Sequence, residues 1–308
     1  MTAVLEERQI KDAADASTHA AIPFLMNDKA GALRTTASAD EMRDLGREQG
    51  LDLDIISTTS PEDTQETIAR LVKSGATRIA VAGGDGTVAC AVQALAGTGV
   101  TLGIVAQGTA NNFATALRLP QELPAALRVL KDGVAREVDL GRIGDLYFTE
   151  SAGIGLFADA MVLQDPTDKS VLRTLWTAFR VLSSARARRV KLYIDGELHT
   201  ERAVMCEVAN SFRMGYAMPM APDAKLTDGV LDVVIVGDLK LTEIIPYFRA
   251  MKAQLHHTLP KVQVLKAKEV RIESRHKMNV HCDDAVIGTT PVTISVAPRA
   301  LKVLVDRL

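Results

Sequence analysis

Two glycine-bearing segments carry most of the chemistry on offer. Gly83-Gly84-Asp85-Gly86-Thr87 follows the apolar run Thr77-Arg78-Ile79-Ala80-Val81-Ala82 and precedes helical spacing from Val88 to Leu95. Glycines between a strand and a helix permit positive φ and let backbone N–H groups approach an anion closely. The start of the next helix adds the positive end of its dipole, so a phosphate is the natural occupant. Asp85 would repel a bare phosphate; it suits magnesium or a nucleotide hydroxyl. The segment is neither a Walker A nor a GxGxxG loop and holds no lysine, and a tight turn without a ligand is the alternative reading. One strand later stands Gly108-Thr109-Ala110-Asn111-Asn112. Thr109 and the two amides can hydrogen-bond phosphates or a ribose without adding charge; plain helix capping is the alternative for the Asn pair. In an open α/β sheet, ligands gather at the carboxyl ends of the strands. The two loops therefore face one crevice, and together they predict nucleotide binding.

The elements that must hold these loops alternate. Ile22–Met26 reads as a strand, followed by the polar loop Asn27-Asp28-Lys29-Ala30-Gly31 and a helix-like stretch from Asp40 through Leu45. Leu51, Leu53 and Ile55 alternate with polar residues as a strand does. Ser60-Pro61-Glu62-Asp63 is a helix start, with a capping hydroxyl, proline at the first position and acids in the first turn. Val100–Val105 is the next strand. Strand, helix, strand, helix with short loops predicts a parallel α/β sheet. After about Gly144 short strands dominate, among them Val292–Val296 and Leu301–Val305 as two separate strands, interrupted by helices near 169–182 and 241–253, with turns at Asp195-Gly196 and Asp228-Gly229. That pattern predicts an antiparallel sandwich or barrel. The expected organisation is a loosely held tail over 1–20, an α/β domain over 21–145 and a β-rich sandwich over 146–308, whose last strand is free to return to the first domain.

Composition narrows the function classes. The chain has 308 residues, 47% hydrophobic and 24% charged, so one large or two modest soluble domains are expected rather than a disordered or fibrous chain. With 36 Lys+Arg against 38 Asp+Glu, the net charge of -2 gives no global attraction to nucleic acid or anionic membrane. An aromatic share of 4% speaks against stacking on single-stranded bases. No apolar run approaches the ~18–20 residues of a membrane span. The start lacks a basic-then-apolar secretory pattern, and Cys90, Cys206 and Cys282 form no CxxC pair. Cytoplasmic residence is the default expectation. Arg186, Arg188, Arg189 and Lys191 form a basic run that is either a solvated face or a local attraction for anionic head groups. The six histidines show no metal spacing and take no role.

GGDGT at 83–87 followed by LGIVAQGTANNFA at 102–114 resembles the diacylglycerol-kinase catalytic family, which includes bacterial diacylglycerol kinases, YegS-like lipid kinases and sphingosine kinases. GGDGT alone is shared with NAD kinases and phosphofructokinases; the second segment at this distance is more discriminating. Asn27–Gly31 resembles the family's NPxxG loop, with Asp28 in place of Pro. Ala221-Pro222, Asp228-Gly229-Val230-Leu231-Asp232-Val233 and Pro298–Val305 resemble its later motifs, so the likeness spans roughly 21–308.

The resemblance implies ATP with magnesium in the cleft of an α/β domain, a β-rich second domain, and phosphorylation of a lipid hydroxyl. By motif position it places ATP on Asn27–Gly31, Thr58, Gly83, Gly84, Asp85, Gly86, Thr87, Gly108, Thr109, Asn111 and Asn112. It maps a supporting magnesium onto the carboxylate of Asp228 and the carbonyls of Lys225 and Val230, oxygen ligands as a hard cation requires; an ordinary Asp-Gly turn is the equal alternative. The family's general base is the Glu of a DGE motif. Here Val280–Pro291 holds Asp283-Asp284-Ala285, which places Ala at the base without a gap; a one-residue shift makes Asp284 the base, with Asp283 as second choice. Two surface acids in a hairpin is the competing reading. Asn112 stands where many members have Asp, and Cys90 where many have Glu. The partner is thus a lipid at a membrane surface, met by peripheral contact, with no nucleic acid; monomer and homodimer both stay open. The rival functions are a kinase of a soluble substrate such as NAD, and a nucleotide-binding regulator that has lost the base.

Overall fold

A computed structural model describes residues 21–27, 38–163, 186–215 and 218–307. The expected tail over 1–20, the loop from Asp28 to Gly31 and the helix near 169–182 lie outside the described residues. The chain forms two compact units, one of Met1–Thr109, Arg118–Arg136 and Val303–Leu308, the other of Ala110–Leu117 and Glu137–Lys302. Ala110–Leu117 groups with the second unit, whose main run starts at Glu137.

The first unit is built on parallel strands β1 (Ile22–Asn27), β2 (Leu53–Thr58), β3 (Arg78–Gly83) and β4 (Thr101–Ala106), in the order β2-β1-β3-β4. Helices α1 (Ala39–Glu48), α2 (Pro61–Lys73) and α3 (Asp85–Leu95) connect them. The α2 start is capped as its sequence predicts: Ser60 Oγ accepts from Asp63 N at 3.2 Å, with Pro61 in the first turn. A reciprocal Ser38–Glu41 capping box opens α1. Buried β3 and β4 supply Ile79, Val81, Leu102 and Ile104, and the helices add Met42, Ile68 and Leu95; each such side chain contributes about 1.5–3 kcal/mol on burial. After α4 (Asn112–Ala116), helix α5 (Leu123–Asp132) covers β4, with Leu127 and Leu130 fully buried.

The second unit is β-rich. Its strands are β5 (Val134–Ile143), β6 (Leu146–Phe148), β7 (Ser151–Gly155), β8 (Arg188–Ile194), β9 (Glu197–Ala209), β10 (Leu231–Gly237), β11 (Val262–Ala267), β12 (Glu269–Ser274), β13 (Asn279–Cys282), β14 (Ala285–Thr289) and β15 (Val292–Val305). They run side by side as β14-β13-β7-β9-β8-β12-β15, with β10 joining β9 to β11. Helix α6 (Leu156–Leu163) follows β7 and α7 (Leu241–Lys252) follows β10. Asp195 (φ 49°) and Gly196 (φ 89°) make the two-residue turn between β8 and β9, as the Asp-Gly pair predicts. The two expected strands 292–296 and 301–305 are one strand, β15, whose residues from Val303 on count with the first unit. Inside β15, Arg299 takes φ 51° and donates its N–H to Asp139 Oδ1 at 2.8 Å.

Candidate functional site

In the first unit the strand order changes direction between β1 and β3, and there the carboxyl ends carry the glycine loop. Asn27 pairs with Thr58 at the ends of β1 and β2, and Gly83 pairs with Ala106 at the ends of β3 and β4, so four strand ends form one row. A crevice at this switch point is where open α/β sheets hold ligands. The two loops meet directly: Gln107 N donates to Gly83 O at 2.8 Å, and a Cβ on Gly84 would lie 3.1 Å from Gly108 Cα. At Gly83 the Thr87 side chain fills the place a Cβ would take. Close approach thus demands glycine at Gly83 and favours it at Gly84. Gly84 is the N-cap of α3 and gives no side-chain cap. The helix dipole adds partial positive charge at the first-turn amides of Asp85, Gly86 and Thr87. Gly86, Gly108 and Thr109 are exposed around this turn, with Asp85 and Thr87 half-buried. The arrangement suits an anionic phosphate chain.

The remaining expected nucleotide residues divide. Thr58 is buried, and its hydroxyl is used inside the unit, donating to Met26 O at 3.4 Å and accepting from Thr64 Oγ1 at 2.9 Å. Asn27 ends β1, while Gly31 lies outside the described residues. Asn111 (φ 49°) is the N-cap of α4 without a side-chain cap, so simple capping does not describe the pair. Asn112 is buried in the second unit, where its Nδ2 donates to Glu150 Oε2 at 3.0 Å and to Gly215 O at 2.6 Å. Glu150 Oε2 also accepts from Gly215 N at 2.7 Å. Cys90 is half-buried on α3 and takes part in no disulfide.

The two acids considered for the base are the two turn residues between β13 and β14, where Cys282 pairs with Ala285. They behave differently. Asp283 (φ 47°) turns its carboxylate onto the Thr149–Ser151 segment. Oδ2 accepts from Thr149 N at 3.0 Å and Thr149 Oγ1 at 3.2 Å, and Oδ1 from Glu150 N at 2.9 Å and Ser151 N at 3.2 Å. Burial pushes this carboxyl up to about 6, against the lowering by those donors. With four donors on its oxygens, Asp283 is a staple of the 149–151 segment. Asp284 is exposed. Beside them lies a pair that the sequence reading passed over, since it gave the histidines no role. His281 Nε2 meets Glu207 Oε2 at 2.8 Å, with both side chains fully buried, and His281 Nδ1 faces the Asp283 carbonyl at 3.1 Å. Burial opposes protonation of His281. The Glu207 charge and hydrogen bond, together with the Asp283 carbonyl, outweigh it and hold the imidazole above its ordinary range. A carboxylate within the apolar run Ala203–Ala209 was the available signal, because a core strand tolerates a charge only with a partner.

Lys225, Asp228 and Val230 lie on one loop before β10. Asp228 Oδ2 binds Lys266 Nζ at 3.1 Å and Oδ1 accepts from Val230 N at 3.4 Å, so a cation on this carboxylate would compete with an ammonium. Lys266 also reaches the buried Asp232 at 3.1 Å. A second staple stands nearby: buried Asp139 accepts from Gly229 N at 2.7 Å through Oδ2 and from Arg299 N through Oδ1.

Comparison with known proteins adds the family. Residues 21–143 match the diacylglycerol kinase catalytic domain, and residues 150–305 match the YegS C-terminal NAD kinase beta sandwich-like domain. A diacylglycerol kinase of Mycobacterium tuberculosis (strain ATCC 25618 / H37Rv) is 30% identical over 280 residues, covering 85% of this chain and 87% of the relative. One from Bacillus subtilis (strain 168) is 31% identical over 220 residues, 69% of this chain and 72% of its own. Two solved diacylglycerol-kinase structures from Bacillus anthracis str. Sterne superpose with TM-scores of 0.76 and 0.71 at 24% and 23% identity, each covering 93% of this chain and 97% of theirs. At that identity the structures speak for the fold. Both domain matches follow in order along a chain with an uncapped glycine turn at the sheet's switch point, and on these grounds the chain belongs to the diacylglycerol kinase family.

Proposed function

We propose that this chain transfers the γ-phosphoryl group of ATP to the hydroxyl of a lipid of the diacylglycerol type. The observation that carries the reading is the uncapped start of α3 at the switch point, where Gly84 and Gly108 let two loops close on each other. Phosphoryl transfer asks a protein mainly for positioning and charge stabilisation. The amides of Asp85, Gly86 and Thr87 would hold phosphate oxygens, and the Asp85 carboxylate would orient magnesium, directly or through water. Magnesium, when bound with the nucleotide, supplies neutralisation of the charge that develops on the transferred group. Thr109 would add a neutral hydroxyl donor beside the same turn. For the acceptor proton the candidate is Asp284, because Asp283 already accepts four hydrogen bonds. The lipid as acceptor rests on what the relatives are named, diacylglycerol kinases.

A second reading has its own observation. Ala285 stands at the ungapped position of the family's base, which favours a nucleotide-binding protein without transfer. Titration calorimetry with magnesium-ATP tests the part that both readings share. Heat of binding that vanishes in Gly84→Val supports them; a folded wild-type sample that gives no heat overturns both. Turnover then separates the two. Asp284→Asn lowers it by about 10²-fold or more if Asp284 takes the proton, and leaves it unchanged if it does not.

A further inference from the structure

The second unit carries a cationic cleft that the nucleotide chemistry does not use. A cavity of about 650 Å³ lies between the start of β8 and the end of β12; the described residues lining it include Arg188, Arg189, Lys191, Arg275 and His276, with Glu273 as the one acid among them. Glu273 is occupied: Arg271 binds its Oε1 through Nε at 3.0 Å and Nη2 at 2.8 Å. Among the described residues, the ion pairs include none of Arg189, Lys191 or Arg275. Five basic side chains thus gather on a chain whose net charge is -2.

An apolar edge is tied to the same loop. Arg188 Nη1 donates to Lys277 O at 3.4 Å, which fixes the start of β8 to the 275–278 connection. Two residues on, Asn279 Nδ2 donates to Asp159 Oδ1 at 2.9 Å and fixes α6 to the start of β13. Helix α6 packs along β13 and β14, and β14 ends the run of strands and is exposed over its whole length. Val162 (55%), Leu163 (36%), Val286 (39%) and Ile287 (36%) are exposed on these two elements. Arg188, Arg189, Lys191, Arg275 and His276 are likewise exposed at the surface. A small phosphate compound is held by convergent buried donors. Cations that stand in solvent beside exposed aliphatic side chains instead match the plane of a bilayer, with head groups for the charges and acyl boundary for the apolar edge.

We infer that this face, formed by the cations Arg188, Arg189, Lys191 and Arg275 with the α6 and β14 aliphatic edge, docks the second unit onto anionic lipid bilayers. The inference deepens the lipid-acceptor reading and rests on it for its purpose, since a diacylglycerol is met in a membrane. Docking itself needs no nucleotide.

The test is co-sedimentation with vesicles of phosphatidylcholine containing about one-third phosphatidylglycerol, a surface on which each basic residue adds about fivefold to binding. The wild-type chain is expected to sediment with these vesicles at low salt and not with pure phosphatidylcholine. Raising salt from about 0.1 M to about 1 M, which shortens the screening length from about 10 Å to about 3 Å, is expected to release it. The variant Arg188→Gln/Arg189→Gln/Lys191→Gln/Arg275→Gln is expected to partition at least about 100-fold less. Val286→Ser/Ile287→Ser, with all cations kept, is expected to lose about tenfold. All six sites are exposed, and an unchanged circular dichroism spectrum checks the fold. Absence of sedimentation at low salt, equal binding to neutral vesicles, or wild-type binding by the fourfold variant overturns the proposal. So does saturable binding of inorganic phosphate at the cleft without any vesicle binding. Sedimentation requires no turnover, so its failure leaves the kinase reading standing, and a chain that docks without transferring phosphate leaves the docking standing.

Discussion

Replacing His281 with leucine leaves the Glu207 carboxylate in the core of the second unit without its cation. The pair is 2.8 Å apart with both side chains at 0% exposure, so water cannot take over the missing contact. Glu207 keeps a weak contact from Ser151 Oγ at 3.5 Å, and its Oε1 has no hydrogen-bond partner among the described residues. Removing one partner of a buried pair costs about 3–5 kcal/mol, whereas replacing both by apolar groups of similar volume is often neutral or stabilising. Glu207→Leu alone strands the imidazole donors at about 1–3 kcal/mol. The expected cycle is a loss of about 4 kcal/mol for His281→Leu, about 2 for Glu207→Leu and about 1 or less for the double variant, a coupling of several kcal/mol. For a domain of this size, the His281→Leu loss lowers Tm by roughly 8–16 °C. The assay is urea denaturation followed by amide exchange in β9 and β13, the strands that carry the pair. The pH dependence adds a second readout. His281 is raised above its unfolded value, so its contribution is fully present below the unfolded pKa of about 6.5 and is lost as pH rises through the higher folded pKa. Wild type should therefore lose stability as pH rises from about 6.5, and the double variant should lack that slope. Additive single losses, or the same slope in the double variant, would show that Glu207 and His281 are not coupled.

Three further outcomes follow from the staples and the turn. Asp139→Ala orphans the N–H groups of Gly229 and Arg299 and removes two short charge-assisted bonds, costing about 3–5 kcal/mol in urea denaturation; a loss below 1 kcal/mol would contradict the staple role. Asp284→Asn, at an exposed turn position, should change stability by less than about 0.5 kcal/mol, so that a fall in its turnover reports chemistry rather than folding. Asp85→Asn should lower turnover by about 10²-fold or more in a sample whose circular dichroism spectrum matches that of wild type.

The parallel α/β unit was legible because its signals are local. The Ser60-Pro61 start, the apolar runs of β3 and β4 and the glycines at 83–84 each declare themselves within a few residues. The antiparallel strands were less so. Ser151–Gly155 is buried along its whole length, so β7 has no period of two, and its glycines lie against the backbone of β9 in a way that only the fold reveals. The gap between the expected strands 292–296 and 301–305 was the Pro298-Arg299 kink of a single strand, held by Asp139 far away in sequence. In the candidate site, the glycine turn and the Gly108 loop could be read directly. The fate of a carboxylate could not: Asp283 and Asp284 are the same residue type side by side, and only the pairing of β13 with β14 decides that one staples Thr149–Ser151 while the other faces water. The Glu207–His281 pair stayed hidden for the same reason, since its partners meet only across strands distant in sequence.

We propose that phosphate passes from ATP to a lipid hydroxyl at the glycine turn that opens α3. The direct measurement is incubation of the chain with magnesium and γ-labelled ATP in detergent micelles containing diacylglycerol, followed by separation of the lipids. Labelled phosphatidate from wild type, reduced at least about 10²-fold by Asp85→Asn, is the predicted result. A folded wild-type sample that binds ATP yet leaves diacylglycerol unlabelled would contradict it.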